Sequence, residues 1–315
     1  MPTIFPTKMN VTKDNLTVLI QGPYDAAITP KTVSSIRKHL GNVPIVLSTW
    51  EGAKIPSLPD MPDVVVYNKC PPSDAFGNFN RQRYSTLEGL KRVSTDYVLK
   101  IRSDFVLRNS NILALSKVDA PRKYPVFKER MLAYVWRPQS FKRNPRLFHP
   151  GDFYYLGLKN DLQMLFSVPE ADTVSMGGFA SSEHYLWVNF INQNSDKKVD
   201  TFDLVNTDKT KYFNDILCDN FIFTNYYEAG VTSLKSALKK NNIPVSKSAF
   251  SFGDWLKMSG CKNVLVDFPN TTIPLGLRLY AQTVVALARV VQLFIFDKKK
   301  RESIRSKIYD LLPEE

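Results

Sequence analysis

A carboxylate closes the segment Tyr97-Val98-Leu99-Lys100-Ile101-Arg102-Ser103-Asp104, whose apolar body has the composition of a buried strand. Asp104 therefore belongs at the rim of a sheet, with Arg102 two residues back on the same side of the chain. A carboxylate so placed can ligate Mg²⁺ or Mn²⁺ that bridges a diphosphate, while a guanidinium beside it neutralises a leaving phosphate. The second acid usual in such a site is absent, since Ser103 is the residue between. An ordinary loop aspartate paired with Arg102 is the competing reading.

Other polar groups end apolar runs in the same way. In an open α/β sheet ligands lie outside the carboxyl ends of the strands, which singles out Gln21-Gly22-Pro23 and Thr49-Trp50-Glu51 beside Ser103-Asp104. Gln21 and Trp50 would frame a nucleotide base by hydrogen bond and stacking, or else serve loop and core. Arg81 falls in the first turn of a helix beginning at Asn80, where guanidinium and helix N-terminus can both face a diphosphate. Arg83 projects with Tyr84 and Leu87, so it either snorkels or serves a buried anion. Asp152 precedes the strand-like Phe153 to Leu158, and Asp254 stands beside Trp255, an indole that would stack on a sugar unless it is core.

Several chemistries lose their support. No GxGxxG follows the first strand and no GxxxxGK[ST] occurs, so neither dinucleotide redox chemistry nor P-loop hydrolysis is indicated. His39, His149 and His184 form no metal-binding spacing, and Cys70, Cys218 and Cys261 form no CxxC pair and carry no local signature of activation.

The elements that must position these groups are legible in the first hundred residues. Leu16 to Ile20 is a continuous apolar run halted by Gln21-Gly22-Pro23, and Pro44 to Thr49 and Asp63 to Tyr67 repeat the buried-strand pattern. Thr29-Pro30 starts a helix whose face is Val33, Ile36 and Leu40, and Tyr84, Leu87 and Leu90 mark a second. Alternation of this kind predicts a mostly parallel Rossmann-type sheet with helices on both faces. Beyond Asp104 the pattern is less regular: a stretch dotted with Pro and Arg runs from Pro121 to Pro150, a short helix from Asn160 through Phe166, and a helix capped by Ser181 or Ser182 carries Tyr185, Leu186, Val188 and Phe190.

The segment Leu275 to Phe296 has the length of a membrane span but contains Arg278, Gln282, Arg289 and Gln292. At 100° per residue these four fall within an arc of about 80°, leaving a broad apolar face. An interfacial helix fits better than a spanning one, and Lys298-Lys299-Lys300-Arg301 with Arg305 and Lys307 would add about 1 kcal/mol each near anionic lipid. Packing on protein is the alternative. The expected organisation is thus a domain over residues 1–274 and an amphipathic basic appendage over 275–315.

The whole chain has 315 residues, 43% hydrophobic, enough for a sizeable core and too apolar for a disordered tail. Forty-two Lys and Arg against 30 Asp and Glu give a net charge of +12, which suits a phosphate-rich ligand or an anionic membrane surface. Nucleic acid is not expected, because the basic clusters flank an apolar helix and are not interleaved with aromatics on a strand. Cysteine usage points to a reducing compartment, and Met1 to Asn10 has no apolar run of the secretory type.

The ordered set Gln21-Gly22-Pro23, Val46-Leu47-Ser48-Thr49-Trp50-Glu51-Gly52, Asn80-Arg81-Gln82 with Ser85-Thr86 and Gly89-Leu90, then Leu99-Lys100-Ile101-Arg102-Ser103-Asp104, closely resembles the WavE family of lipopolysaccharide-synthesis proteins. Weaker echoes continue through Gly151-Asp152-Phe153, Ser182-Glu183-His184-Tyr185-Leu186 and Asp219-Asn220-Phe221-Ile222. The resemblance implies a nucleotide-sugar-dependent glycosyltransferase of the GT-A type, in which Asp104 takes the last position of a metal-binding Asp-x-Asp motif after the fourth strand. Gly177-Gly178-Phe179 followed by Glu183-His184 is similar to the acceptor-helix motif of inverting GT-A enzymes, with His184 in place of an Asp. That likeness implies Glu183 as general base; a solvated first-turn glutamate is its ordinary reading, and Asp152 is the second candidate.

On this reading the chain moves a sugar from a nucleotide donor to a surface glycan on the cytoplasmic face of the inner membrane. Gln21, Gly22, Trp50, Arg81, Arg102, Ser103 and Asp104 would hold the donor, Asp254 and Trp255 the glycan or lipid-linked acceptor, and Asp104 a Mg²⁺ or Mn²⁺. Two rivals remain: a non-catalytic membrane-surface adaptor with a degenerate sugar-nucleotide site, motivated by Ser103 and His184, and phosphoryl or polyol-phosphate transfer in the same pocket.

Overall fold

The structure is a computed structural model and describes residues 9–56, 61–71, 78–118, 120–136, 149–172, 181–196, 198, 207–235, 238, 242–243, 250–260 and 273–312. Gly177-Gly178-Phe179 and Cys261 lie outside the described residues.

Leu16–Gln21 (β1) is buried along its whole length, and Ile45–Trp50 (β2) is buried up to its last residue. Continuous burial requires cover on both faces, which is why both read as unbroken apolar runs. The helix between them, Thr29–Leu40 (α1), buries Thr32, Val33, Ile36 and Leu40; Thr29 is its first residue and Ile28 holds the cap position without a side-chain hydrogen bond. Val64–Asn68 (β3) departs from the expected buried strand. It lies at the sheet edge, with Val64 39% and Tyr67 49% exposed. Phe79–Leu90 (α2) then leads back to Tyr97–Arg102 (β4), which pairs in parallel with β1 on the side away from β2.

That reversal matters for the site. The chain steps outward from β1 to β2 and β3, then crosses back to β4, so right-handed crossovers put α1 and α2 on opposite faces and leave a switch point between the carboxyl ends of β1 and β4. Gly89 allows α2 to sit close on the sheet, because a Cβ there would stand 2.5 Å from a Leu19 methyl and 3.0 Å from the Ser48 Cβ.

The second half adds Phe105–Leu107 (β5), Asn111–Leu115 (α3), Met131–Trp136 (β6), His149–Leu158 (β7), Lys159–Phe166 (α4), Ser182–Asn194 (α5), Thr207–Asn220 (α6), Phe221–Thr224 (β8), Tyr226–Ala229 (α7), Val231–Ser233 (β9) and Phe252–Met258 (α8). The main sheet runs β3-β2-β1-β4-β7-β6-β8, with β7 antiparallel to both neighbours and every other pairing parallel; β5 and β9 form a separate ribbon. The expected mostly parallel α/β sheet is present, with β7 as the exception. β6 and β8 were not legible as strands: β6 lies inside the stretch from Pro121 to Pro150, and β8 is only four residues long.

The C-terminal segment consists of two helices. Leu275–Phe294 (α9) turns at Ile295–Asp297 and packs against Lys298–Tyr309 (α10), whose first turn is the expected basic run. Ala281, Val284 and Ala288 meet Tyr309, Leu312 and Ile243 in a small apolar cluster apart from the main core. The rest of the apolar face of α9 stays open: Leu275 is 70%, Leu293 73% and Phe294 75% exposed, and Phe296 just beyond is 93% exposed. No helix among the described residues is long and apolar enough to cross a membrane.

Candidate active site

Strand register brings the two halves of the site together. Gln21 at the end of β1 pairs with Arg102 at the end of β4, so the loops after both strands open on the same side of the switch point. Gly22 has φ +133°, and the Ser103 N–H donates to the Gln21 carbonyl at 3.0 Å. The Ser103 hydroxyl donates to the Pro23 carbonyl at 2.8 Å, and Thr32 of α1 donates to the Ser103 carbonyl at 3.1 Å. Ser103 thus staples the β1 loop, the β4 loop and α1.

Arg102 and Asp104 flank that staple and face each other. The guanidinium Nε and one terminal nitrogen donate to the two Asp104 oxygens at 3.0 and 2.8 Å, a bidentate pair. The other terminal nitrogen donates to Asp152 at 3.3 Å. Asp152 arrives from β7 through an irregularity in the ladder. Ala133 pairs with Tyr155 but Val135 with Pro150, so the β7 residues between bulge and carry the Asp152 carboxylate past the end of its pairing with β4. Its Oδ1 is buried and has no hydrogen-bond partner among the described residues. The guanidinium also lies 5.9 Å from the Phe105 ring centre and 5.5 Å from that of Phe153, over a floor shared with Tyr134 and Tyr226.

Lys100, fully buried two strand positions behind Arg102, donates to the Asp152 carbonyl at 2.5 Å. Burial lowers its pKa to about 8, and Asp152 opposes the fall. Burial also works against the charged form of Arg102, but the Asp152 and Asp104 carboxylates outweigh it and hold the guanidinium above its ordinary value. Glu183 stands in the first turn of α5, which Ser181 caps by accepting from the His184 N–H at 3.2 Å. Burial first, and the Asp152 carboxylate second, push Glu183 up to about 7. Arg102, Asp104, Asp152 and Glu183 are therefore one electrostatic cluster, with Lys100 behind it. Sequence reasoning gave Lys100 no role, because its burial beside Asp152 depends on β7, where Asp152 lies 52 residues away in the chain.

The remaining candidates divide. Gln21 is buried and donates to Ser85 of α2 at 2.9 Å, tying strand to helix. Trp50 is half-buried at the end of β2. Arg81 donates to the Pro71 carbonyl at 3.4 Å and to Asn78 at 3.1 Å, and among the described residues no hydrogen bond joins it to the Arg102 cluster. Arg83 holds the segment after α4, donating to the Val168 carbonyl at 2.7 Å. Asp254 closes a capping box with Ser251, whose N–H and hydroxyl donate to it at 3.0 and 2.8 Å. Trp255 corrects the expectation of a sugar platform: its indole is wholly buried, donates to the Phe221 carbonyl at 2.6 Å and lies under the Arg130 guanidinium. A face sealed by the core offers nothing to a sugar.

The metal assignment to Asp104 also meets a difficulty. A divalent ion needs carboxylate lone pairs directed at it, whereas both Asp104 oxygens and one Asp152 oxygen already accept from the guanidinium. The Ser103 hydroxyl and carbonyl are engaged elsewhere. As placed, these residues do not fit Mg²⁺ or Mn²⁺.

Among solved structures, a crystal structure of galactosyltransferase LgtC in complex with donor and acceptor sugar analogs matches 84% of this chain and 99% of that chain, at 10% identity and a TM-score of 0.38. An active-site mutant of LgtC matches over the same shares at 9% identity and a TM-score of 0.38. Curated proteins contain no match. The family described as WavE lipopolysaccharide synthesis matches residues 16–282, which span both strands of the switch point and all four members of the charged cluster. The chain belongs to the WavE lipopolysaccharide synthesis family.

Proposed function

We propose that this protein is a glycosyltransferase that moves a sugar from a nucleotide-sugar donor to a lipopolysaccharide-type or other surface-glycan acceptor. The observation that carries the reading is the cluster at the switch point: a fixed guanidinium between two carboxylates, beside a glutamate whose pKa is pushed up to about 7. Diphosphate recognition needs the first group and deprotonation of an acceptor hydroxyl the second. In the transfer, the acceptor oxygen forms a bond to the anomeric carbon as the bond from that carbon to the diphosphate oxygen breaks. The nucleoside diphosphate leaves with the electron pair, Arg102 faces the charge that develops there, and Glu183 takes the hydroxyl proton. Asp152 orients Arg102 and keeps Glu183 a weak enough acid to serve as base near neutral pH.

The C-terminal helices have a place in this reading as an appendage to the 1–274 domain. The open apolar face ending in Leu293, Phe294 and Phe296, next to Lys298–Arg301, suits an anionic bilayer on which a lipid-linked acceptor would reside. Peripheral attachment to the inner face of the membrane raises the local concentration of enzyme and acceptor.

A panel of nucleotide sugars tested by thermal shift checks the function, because a ligand that prefers the native state raises its stability. At least one donor should raise Tm in the wild-type protein and not in Arg102→Ala. If no nucleotide sugar does so, and none is turned over, the adaptor reading replaces this one.

A further inference from the structure

Resting on the glycosyltransferase reading, we infer that this enzyme needs no divalent cation, and that Arg102 itself supplies the fixed positive charge for the donor diphosphate. A guanidinium has five N–H donors. Among the described residues Asp104 takes two and Asp152 one, which leaves one on each terminal nitrogen for phosphate oxygens. The side chain is 24% exposed, and the Phe105 and Phe153 ring centres lie 5.9 and 5.5 Å from the guanidinium carbon. Position and orientation are both set before a ligand arrives, which is the property that makes an electrostatic contact effective in a transition state.

The neighbours agree. A metal placed on Asp104 would lie beside a cation already held by both of its oxygens, and Ser103, between the two charged residues, has its hydroxyl and carbonyl committed to Pro23 and Thr32. Asp104 is accordingly a positioning residue for Arg102 and not a metal ligand.

The test uses the full-length protein and two readouts. Calorimetric binding of UDP, GDP, CDP and ADP, and turnover of the matching nucleotide sugars, are measured in EDTA and again in Mn²⁺ or Mg²⁺. The expected result is unchanged affinity and turnover in EDTA, with Arg102→Lys losing about 10²-fold in turnover because an ammonium cannot keep two carboxylates and the diphosphate in one plane. Arg102→Asp, which puts a third carboxylate beside those of Asp104 and Asp152, should bind Mn²⁺ detectably by electron paramagnetic resonance while the wild type does not. Loss of donor binding in EDTA with recovery in Mn²⁺ overturns the inference, and so does stoichiometric Mn²⁺ binding by the wild type. Absence of nucleotide binding and turnover in both conditions overturns the glycosyltransferase reading itself, and this inference with it.

Discussion

A Cβ built on Gly22 stands 2.8 Å from the Ser103 hydroxyl oxygen, so the loops after the first and fourth strands of the sheet touch at the switch point. The contact is closer than any side chain allows, and φ +133° at Gly22 adds a conformation that other residues rarely adopt. Gly22→Ala should cost about 1–3 kcal/mol of stability. Adding Ser103→Ala should recover part of it by removing the clash but not the backbone strain, a coupling visible in thermal unfolding of the single and double variants.

Glu183→Gln should lower turnover about 10²- to 10⁴-fold while leaving donor affinity nearly unchanged, the pattern for a lost general base. Because Glu183 acts deprotonated and its pKa lies at about 7, wild-type activity should rise with pH through that region. Asp152→Asn removes the like charge that raises it, so the acidic limb should move to lower pH. A rate profile whose acidic limb is the same in Asp152→Asn as in wild type would separate Glu183 from the rate.

Stability should carry its own pH signature. Burial pushes Glu228 up to about 7, against two backbone donors, Asn225 at 3.1 Å and Phe252 at 2.9 Å. A raised carboxyl pKa means that the fold holds the proton more tightly than the unfolded chain does. This contribution is complete below the unfolded value and fades as pH climbs from there to about 7. Glu228→Gln keeps an acceptor and should flatten that slope in denaturant titrations taken between pH 4.5 and 7.

Trp255→Ala should cost about 3–5 kcal/mol, the range for deleting a large buried aromatic, and it also strips a donor from the Phe221 carbonyl. The loss should appear in the urea midpoint. Any fall in activity should follow the folded fraction, with KM for the acceptor unmoved.

Replacing Leu293, Phe294 and Phe296 with serine should release the protein from vesicles containing anionic lipid, as should truncation at Pro274. Neutralising Lys298–Arg301 should weaken binding by about 1 kcal/mol per charge and make the remainder less sensitive to salt. Flotation on anionic and on zwitterionic vesicles measures both effects; equal flotation of the serine variant and wild type would disprove the membrane role.

The buried strands were legible because residues covered on both faces must be mostly apolar, as in Leu16–Ile20 apart from Thr17 and in Tyr97–Ile101 apart from Lys100. The carboxylate after the fourth strand was legible because a strand that ends at the sheet rim presents its next polar residue there. Helical spacing exposed the amphipathic character of Leu275–Phe294, since one period of 3.6 residues sorts polar from apolar within a single element. All of these are relations between neighbours in the chain.

Tertiary structure alone decided the rest. Asp152 lies fifty residues from Arg102 and reaches it only because β7 inserts antiparallel beside β4 and bulges at its end. Whether Asp104 meets a metal or a guanidinium depends on where Arg102 turns, which Asp152 helps to set. Trp255 looked available beside a carboxylate until β8 and Arg130 closed over it, and α9 looked solitary until α10 folded back along part of its apolar face. Local pattern encodes which side of an element is covered, but which distant element covers it is settled by the packing of the whole chain.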